Sequence, residues 1–417
     1  MSQPEVSTTR TTSKRSGTAV PAFLVATGIL LSRITGLFRE SVFAHYFGNS
    51  GAADAYKAAF RIPNFLQTLF GEGVLSASFI PVYASLIARG DEREARRVAG
   101  AIFTLLFFFT SLLVLTGVLT APFLIDAIAP GFTGPRRELT IQLVRIFFPG
   151  IGLLVLSAWC LGILNSHRQF FISYAAPVAM NIAIIATLIA FGRHRTPEAL
   201  AATVAWGAVV GSALQIGVQM PSVLRLLRGL PLVFNYALEN VRTVVKNFVP
   251  VFISRGVVQV SAYVDQLLAS LLPIGAVAAL GYAQLLALLP VSLFGMSVSA
   301  AELPAMSSVL GEEDEIADKL RQRLNLGLRQ IAYFVVPSAM AFLTLGDVVS
   351  GGIFQSGIFT HKDSLYVWGI LAGSSVGLLA MTMGRLYSST YYALRDTKTP
   401  LRFAVIRVAL TSILGYL

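Results

Sequence analysis

The sequence predicts an all-α polytopic membrane protein built as two parallel, pseudo-symmetric helical lobes around a central cavity. Three observations predict it. Apolar runs recur from end to end, and each approaches or exceeds the roughly 20 residues a helix needs to cross hydrocarbon. Charged residues make up only 13% of the 417 positions, against 55% hydrophobic, whereas a soluble chain carries about a quarter charged. Two separate motifs also return at nearly the same offset along the chain. The runs are too continuously apolar for barrel strands, which alternate at every second residue, so the spans are helices.

Residues 1–19 are polar, rich in Ser and Thr, and basic at Arg10, Lys14 and Arg15. This composition suits a disordered cytoplasmic tail. No small-residue cleavage site ends the long apolar run behind it, so it is not a signal peptide. Eleven spans follow, at 20–47, 54–88, 98–121, 139–164, 170–192, 199–224, 244–271, 275–305, 325–345, 364–392 and 399–417. The first six form an N-lobe over 20–228 and the rest a C-lobe over 229–417. The last run stops at Leu417 without a polar flank, which reads as an incomplete final helix. With the N-terminus inside, 18 of the 32 Lys and Arg residues fall on the inner side and 5 on the outer. That asymmetry sets the orientation. It also explains the net charge of +11 without nucleic acid as a partner. Cys160 is the sole cysteine, so no internal disulfide forms.

The repeat joins span 1 to span 7 and span 2 to span 8. Leu31-Ser32-Arg33 returns as Ile253-Ser254-Arg255, and Leu69-Phe70-Gly71-x-x-Val74 returns as Leu293-Phe294-Gly295-x-x-Val298. An offset of six spans preserves orientation, so the repeats are parallel and related by an axis along the membrane normal.

Charges lie inside these spans. Span 1 holds Arg33, Arg39 and Glu40, and each unpaired charge at mid-membrane costs roughly 3 kcal/mol on insertion scales. At helical spacing Arg33 and Glu40 share a face. In span 2, Asp54, Lys57, Arg61 and Glu72 fall on one stripe with Asn64 beside it, and Pro63 predicts a kink. Span 7 carries Arg255, Gln259, Tyr263 and Gln266 on a stripe, with Asp265 adjacent. A polar stripe on an apolar helix belongs against water or another polar stripe. The competing reading is structural: Asp54 and Lys57 near the outer end can snorkel to the interface, and Arg39 with Glu40 can lock two helices. Arg329 and Arg385 divide evenly between cavity and interfacial anchor. Clustered arginines suit phosphate, whose oxygens match the planar guanidinium fork.

The chain has no GxxxxGK[ST], and its four histidines are scattered; a P-loop hydrolase is excluded. Short loops argue against a membrane glycosyltransferase.

The stretch from Ser32 to Arg89, SRITGLFRESVFAHYFGNSGAADAYKAAFRIPNFLQTLFGEGVLSASFIPVYASLIAR, closely resembles the MurJ (MviN) lipid II flippase family. That family lies within the multidrug, oligosaccharidyl-lipid and polysaccharide exporter superfamily. The resemblance implies fourteen spans in a full-length member, and a transporter rather than an enzyme. It implies a bacterial cytoplasmic-membrane protein that moves lipid II, the undecaprenyl-diphosphate-linked peptidoglycan precursor, between leaflets by alternating access. It carries substrate-binding roles to Ser32, Arg33, Arg39, Asp54, Asn64 and Glu72. Glu40 stands where Asp is usual and Arg61 where Lys is usual. Two departures accompany it. Gln67 replaces a basic residue, and Tyr282-Ala283-Gln284-Leu285-Leu286-Ala287-Leu288-Leu289-Pro290 replaces Tyr-Ala-x-Arg-Leu-x-Glu-x-Pro. Arg255 is the candidate replacement for the missing arginine. Some members hold Na+ between spans 7 and 11, which makes Asp265 and Asp396 its candidate ligands; the turn at Asp396 favours a helix cap instead. The alternatives are a flippase for another polyprenyl-diphosphate glycan, such as an O-antigen or capsule unit, and a non-transporting partner of cell-wall synthases.

The predicted orientation has a direct check. With Cys160 replaced by Ala, a cysteine at Lys362 reacts with a membrane-impermeant maleimide in intact cells, and one at Arg225 reacts only after lysis. The opposite pattern inverts the topology.

Overall fold

The computed structural model describes residues 19–229, 238–295, 298–299, 302, 306, 313–394, 396 and 398–416. Helix follows helix. α1 (Ala19–Phe47) is followed by α2 (Gly51–Gln67), a π-helical segment (Thr68–Leu75) and α3 (Ser76–Ala88). Then come α4 (Glu92–Ile128), α5 (Gly134–Ser166), α6 (Phe170–Ala175), α7 (Pro177–Phe191) and α8 (Pro197–Leu227). The second half holds α9 (Glu239–Ser270), α10 (Ala276–Pro290) with a π segment (Val291–Gly295), α11 (Glu313–Phe354), α12 (His361–Ala393) and α13 (Lys398–Tyr416).

Each expected span coincides with one of these helices or helical pairs over its described residues, the one expected at 275–305 as far as Gly295. Among the described residues, seven stretches are long and apolar enough to cross a membrane by length and composition. The expected spans outside that set are α1, α2 with α3, α9 and α13, and each carries charge within it.

The starts of the helices follow local chemistry. Ser50 accepts from the Ala53 amide, Asp91 from Glu94 and Thr196 from Ala199, each satisfying an amide that a first turn leaves unpaired. Pro197 follows at the first helical position, where its missing N–H costs nothing. α5 is the hub: its most apolar stretch is 78% buried, against 28% for those of α11 and α12, and it packs on α8, α2 and α4. α7 packs on α8 and α1, while α11 and α12 pair and α10 joins α12. Exposed Phe107, Phe108, Leu115, Leu119 and Phe123 run along α4. A face that apolar on an interior-depth helix belongs against lipid.

The span 2 irregularity differs from the expected kink. α2 runs through Pro63, and the break comes at Thr68–Leu75, where the helix widens to π winding. Gly71 and Gly73 lie in that segment. The wider turn shifts the helical register, so the single stripe expected from Asp54 to Glu72 does not continue past Gln67. The repeated Leu-Phe-Gly motif marks the same event twice: Leu69-Phe70-Gly71 lies in the first π segment and Leu293-Phe294-Gly295 in the second.

Close packing within α4 and α5 is set by Gly117. A Cβ there would lie 1.9 Å from Cε1 of Phe148. Gly117→Ala is expected to cost about 1–3 kcal/mol, read as a lower melting temperature in detergent, and Gly117→Ala with Phe148→Leu should recover part of it.

Candidate functional site

Helix α1 ends and α2 begins at one face of the bundle, the one expected to be extracytoplasmic, and there the halves of the chain lock together. Asp54, fully buried, accepts from the amides of Gly275 (2.7 Å, Oδ2) and Ala278 (2.8 Å, Oδ1). Both lie at the start of α10, whose free N–H groups and positive dipole end favour a carboxylate. Arg136 donates from Nη1 to Asp54 at 3.3 Å and from Nη2 to the Gly131 carbonyl at 3.1 Å, with Phe132 stacked 4.1 Å away. Gly275 sits at φ +96°, and a Cβ there would come within 2.5 Å of the Asn49 carbonyl; the glycine is what lets the two halves approach. Tyr282 donates to Gly48 O (3.2 Å), Ile358 N to His45 O (3.0 Å), and Ser41 to Ile353 O (2.6 Å).

Deeper along α1 and α2 lies a three-charge cluster. Glu40 accepts from Arg39 Nη2 through Oε1 at 2.7 Å and pairs with Lys57 through Oε2. The side chains of Arg39, Glu40 and Lys57 are 18%, 14% and 15% exposed. Arg39 also donates to Asn181 Oδ1 on α7 at 3.0 Å and lies over Phe60. Lys57 sits over the rings of Phe43 (5.0 Å) and Tyr282 (4.4 Å). Two cations on one carboxylate leave the cluster with a net positive charge. One turn on, Arg61 donates to Gln284 Oε1 at 3.4 Å and lies over Tyr263, whose ring meets Phe65 edge-on. Beside Tyr263 opens a cleft of about 500 Å³ lined by Ile62, Phe65, Leu112, Gly117, Phe148 and other apolar groups.

The remaining expected residues are dispersed. Ser32 contributes its carbonyl, accepting from Thr35 and Asn181. Arg33 and Asn64 are exposed, and Glu40 is paired with Arg39 and Lys57 rather than with Arg33. Arg255 and Gln259 lie on α9 and Glu72 in the first π segment, but their side chains lie outside the described residues. Asp396 caps α13, with Oδ1 accepting from the Thr399 amide (3.1 Å) and Oδ2 from its hydroxyl (2.6 Å). Asp265 lies within electrostatic reach of Arg61 and Arg407. Among the described residues no group of three or more His, Cys, Asp or Glu could hold a metal. Outside the spans, burial holds the His167 imidazole below its ordinary pKa, and its Nε2 shares a 3.0 Å hydrogen bond with the Tyr83 hydroxyl.

Sequence reasoning places Arg39, Asp54 and Lys57 within the spans but misses their respective partners Asn181, Arg136 and Tyr282. An asparagine in an otherwise apolar helix was the available signal for Asn181. Arg136 read only as a loop charge.

The family model described as Lipid II flippase MurJ matches residues 43–417. The chain belongs to that family. Among MurJ relatives, Lipid II flippase MurJ of Burkholderia cenocepacia is 30% identical over 402 residues, spanning 95% of this chain and 77% of that protein. The probable lipid II flippase MurJ of Rhizobium tropici is 32% identical over 407 residues, spanning 95% and 75%. A solved MurJ structure, described as inward closed, superposes with a TM-score of 0.80 at 27% identity, covering 95% of this chain and 81% of that one. An inward-facing MATE family transporter of the MOP superfamily gives 0.71 over 94% and 88% at 13% identity, which bears on fold alone. The MurJ fold makes this a membrane transporter, and its charged cluster lies where two halves of a transporter meet.

The lock at α10 is testable. Asp54→Ala strands the Gly275 and Ala278 amides, so the halves should separate more often at that face. With Cys160 replaced by Ala, a cysteine at the buried position Ala58 should then label with maleimide several-fold faster than without Asp54→Ala. An unchanged rate refutes the lock.

Proposed function

We propose that this chain moves lipid II from the inner to the outer leaflet of the bacterial cytoplasmic membrane by alternating access, with its N-terminus on the cytoplasmic side. Family membership supports the cargo class, and one observation supports the site: Arg39 and Lys57 share a single carboxylate, Glu40, in the membrane interior, and Arg61 follows one turn on, with Asp265 within electrostatic reach. Such a surplus of cations recruits an anion, and guanidinium matches diphosphate oxygens two at a time. The apolar cleft beside Tyr263 and Phe65 gives a hydrocarbon chain a place adjacent to Arg61. The lock between Asp54 and α10 is the contact that outward opening has to break. Orientation rests on the excess of basic residues on the inner side.

A second reading, a flippase for a different polyprenyl-diphosphate glycan, draws on α10. There Leu285 and Leu288 stand where the family carries an arginine and an acid, and the second half meets Arg61 with the amide of Gln284, which alters what can contact the sugar.

In cells depleted of their own lipid II flippase, the wild-type chain should restore growth, and Arg39→Ala and Arg61→Ala should each fail at unchanged protein levels. Native mass spectrometry should show lipid II on the wild type and at least about tenfold less on Arg39→Ala, the factor that 1.4 kcal/mol of lost binding produces. Rescue by both variants would sink the cationic-site reading. Co-purification of another diphosphate-linked glycan, with no rescue by the wild type, would favour the second reading.

A further inference from the structure

In the closed arrangement both terminal nitrogens of Arg39 are engaged. One guanidinium nitrogen is on Glu40 (2.7 Å), another is on Asn181 (3.0 Å), and Phe60 lies beneath at 5.5 Å. For Arg39 to take a phosphate in a two-pronged grip, it has to let go of Glu40. That would strand a carboxylate in a low-dielectric interior, where an uncompensated charge is strongly disfavoured. Glu40 has a second cation at its other oxygen. Lys57 holds Oε2 while Arg39 holds Oε1, so the departure of Arg39 leaves the carboxylate neutralised.

Lys57 is fixed in that position from both halves of the chain. Its ammonium lies over Phe43 of α1 and Tyr282 of α10. Its stem passes Gly281, where a Cβ would come within 3.4 Å of Lys57 Cδ. Tyr282 is itself tied to Gly48 across the halves. Neither ring competes for a proton or supplies a charge, so they orient the ammonium without neutralising it.

We propose that Lys57 is the stand-in counter-cation for Glu40, the residue that lets Arg39 exchange its carboxylate for the phosphate of the cargo, and that Tyr282 holds it there while the halves are closed. The proposal rests on the phosphate-binding reading above. Lys57 acts through Glu40 and Arg39, as a positioning residue, and Glu40 in turn competes with cargo for Arg39. When the halves part, Tyr282 withdraws, the hold on Lys57 loosens, and Glu40 regains Arg39 at the moment cargo is to be released.

The test is a cycle of full-length variants, with lipid II retained in native mass spectrometry as the readout and growth rescue beside it. Lys57→Met should lose at least about tenfold in lipid retention, and Lys57→Arg, which keeps the cation, should stay within about threefold of wild type. Glu40→Gln removes the competitor and should retain lipid at least as well as wild type. Lys57→Met with Glu40→Gln should then match Glu40→Gln alone, because no carboxylate is left to compensate. This double variant strands no charge, so it remains informative even where Lys57→Met does not accumulate. The proposal is overturned if Lys57→Met retains lipid like wild type, if Glu40→Gln loses it, or if the double variant binds far less than Glu40→Gln. If Arg39→Ala retains lipid like wild type, the phosphate-binding reading itself has failed instead.

Discussion

A charge placed in hydrocarbon must meet an opposite charge or a set of aligned donors, and that constraint decides where the halves of this protein touch. Asp54 meets amides of the α10 N-terminus 221 and 224 residues away, and Arg61 meets Gln284 at a separation of 223. These separations lie within one residue of the offsets of the sequence repeat, 222 from Leu31 to Ile253 and 224 from Leu69 to Leu293. In a pseudo-two-fold arrangement a residue contacts its own counterpart only where the axis passes. α2 and α10 therefore line the axis, and in the closed arrangement the charges of α2 lie where both halves are at hand. The cluster at Arg39, Glu40 and Lys57 is adjacent to it, and Tyr282 reaches that cluster from α10.

The same two helices carry the π segments. Each follows a proline, five residues after Pro63 in one half and directly after Pro290 in the other. A π turn is less well packed than an α turn and is found mostly at functional positions. Phe70 in the first segment packs against Phe248 and Phe252 of α9, and Gly295 closes the second against Thr382 of α12, where a Cβ would meet Cγ2 at 2.3 Å. The helices on the axis are thus softened along their length and pinned at their outer ends. That combination allows a pair of rigid bundles to rock about the pinned contacts, or to part once these are broken.

The helices were legible in the sequence because burial in lipid demands long apolar runs, which no local competition disguises. Expected 20–47 and 139–164 became Ala19–Phe47 and Gly134–Ser166. The repeat was legible too, although its meaning as paired π segments was not, since nothing in Leu-Phe-Gly distinguishes a wide turn from a regular one. The stripe through Glu72 failed for that reason, as it assumed one register across Thr68–Leu75. Asp54 reads as a cavity group in the sequence because, Arg136 apart, the partners it meets are backbone amides of a distant helix, which leave no trace in residue identity. Asp396 followed local rules, and its capping role was visible in the turn that precedes Thr399.

The departure of α10 from the family pattern acquires a physical sense from these contacts. Leu285 and Leu288 stand where an arginine and an acid were expected, and the helix meets Lys57 and Arg61 of α2 with the ring of Tyr282 and the amide of Gln284. A neutral partner can lie beside a cation without cancelling it, whereas an acid would have consumed the charge that cargo needs. An added arginine would have raised repulsion within a cluster that already carries two cations on one carboxylate. With both gone, the cationic character of the site comes from α1 and α2, and α10 supplies orientation. A half that holds cations in place without binding the anion itself can move away and leave the charge balance on the other half intact, which is what a rocking transporter requires of the side that must let go.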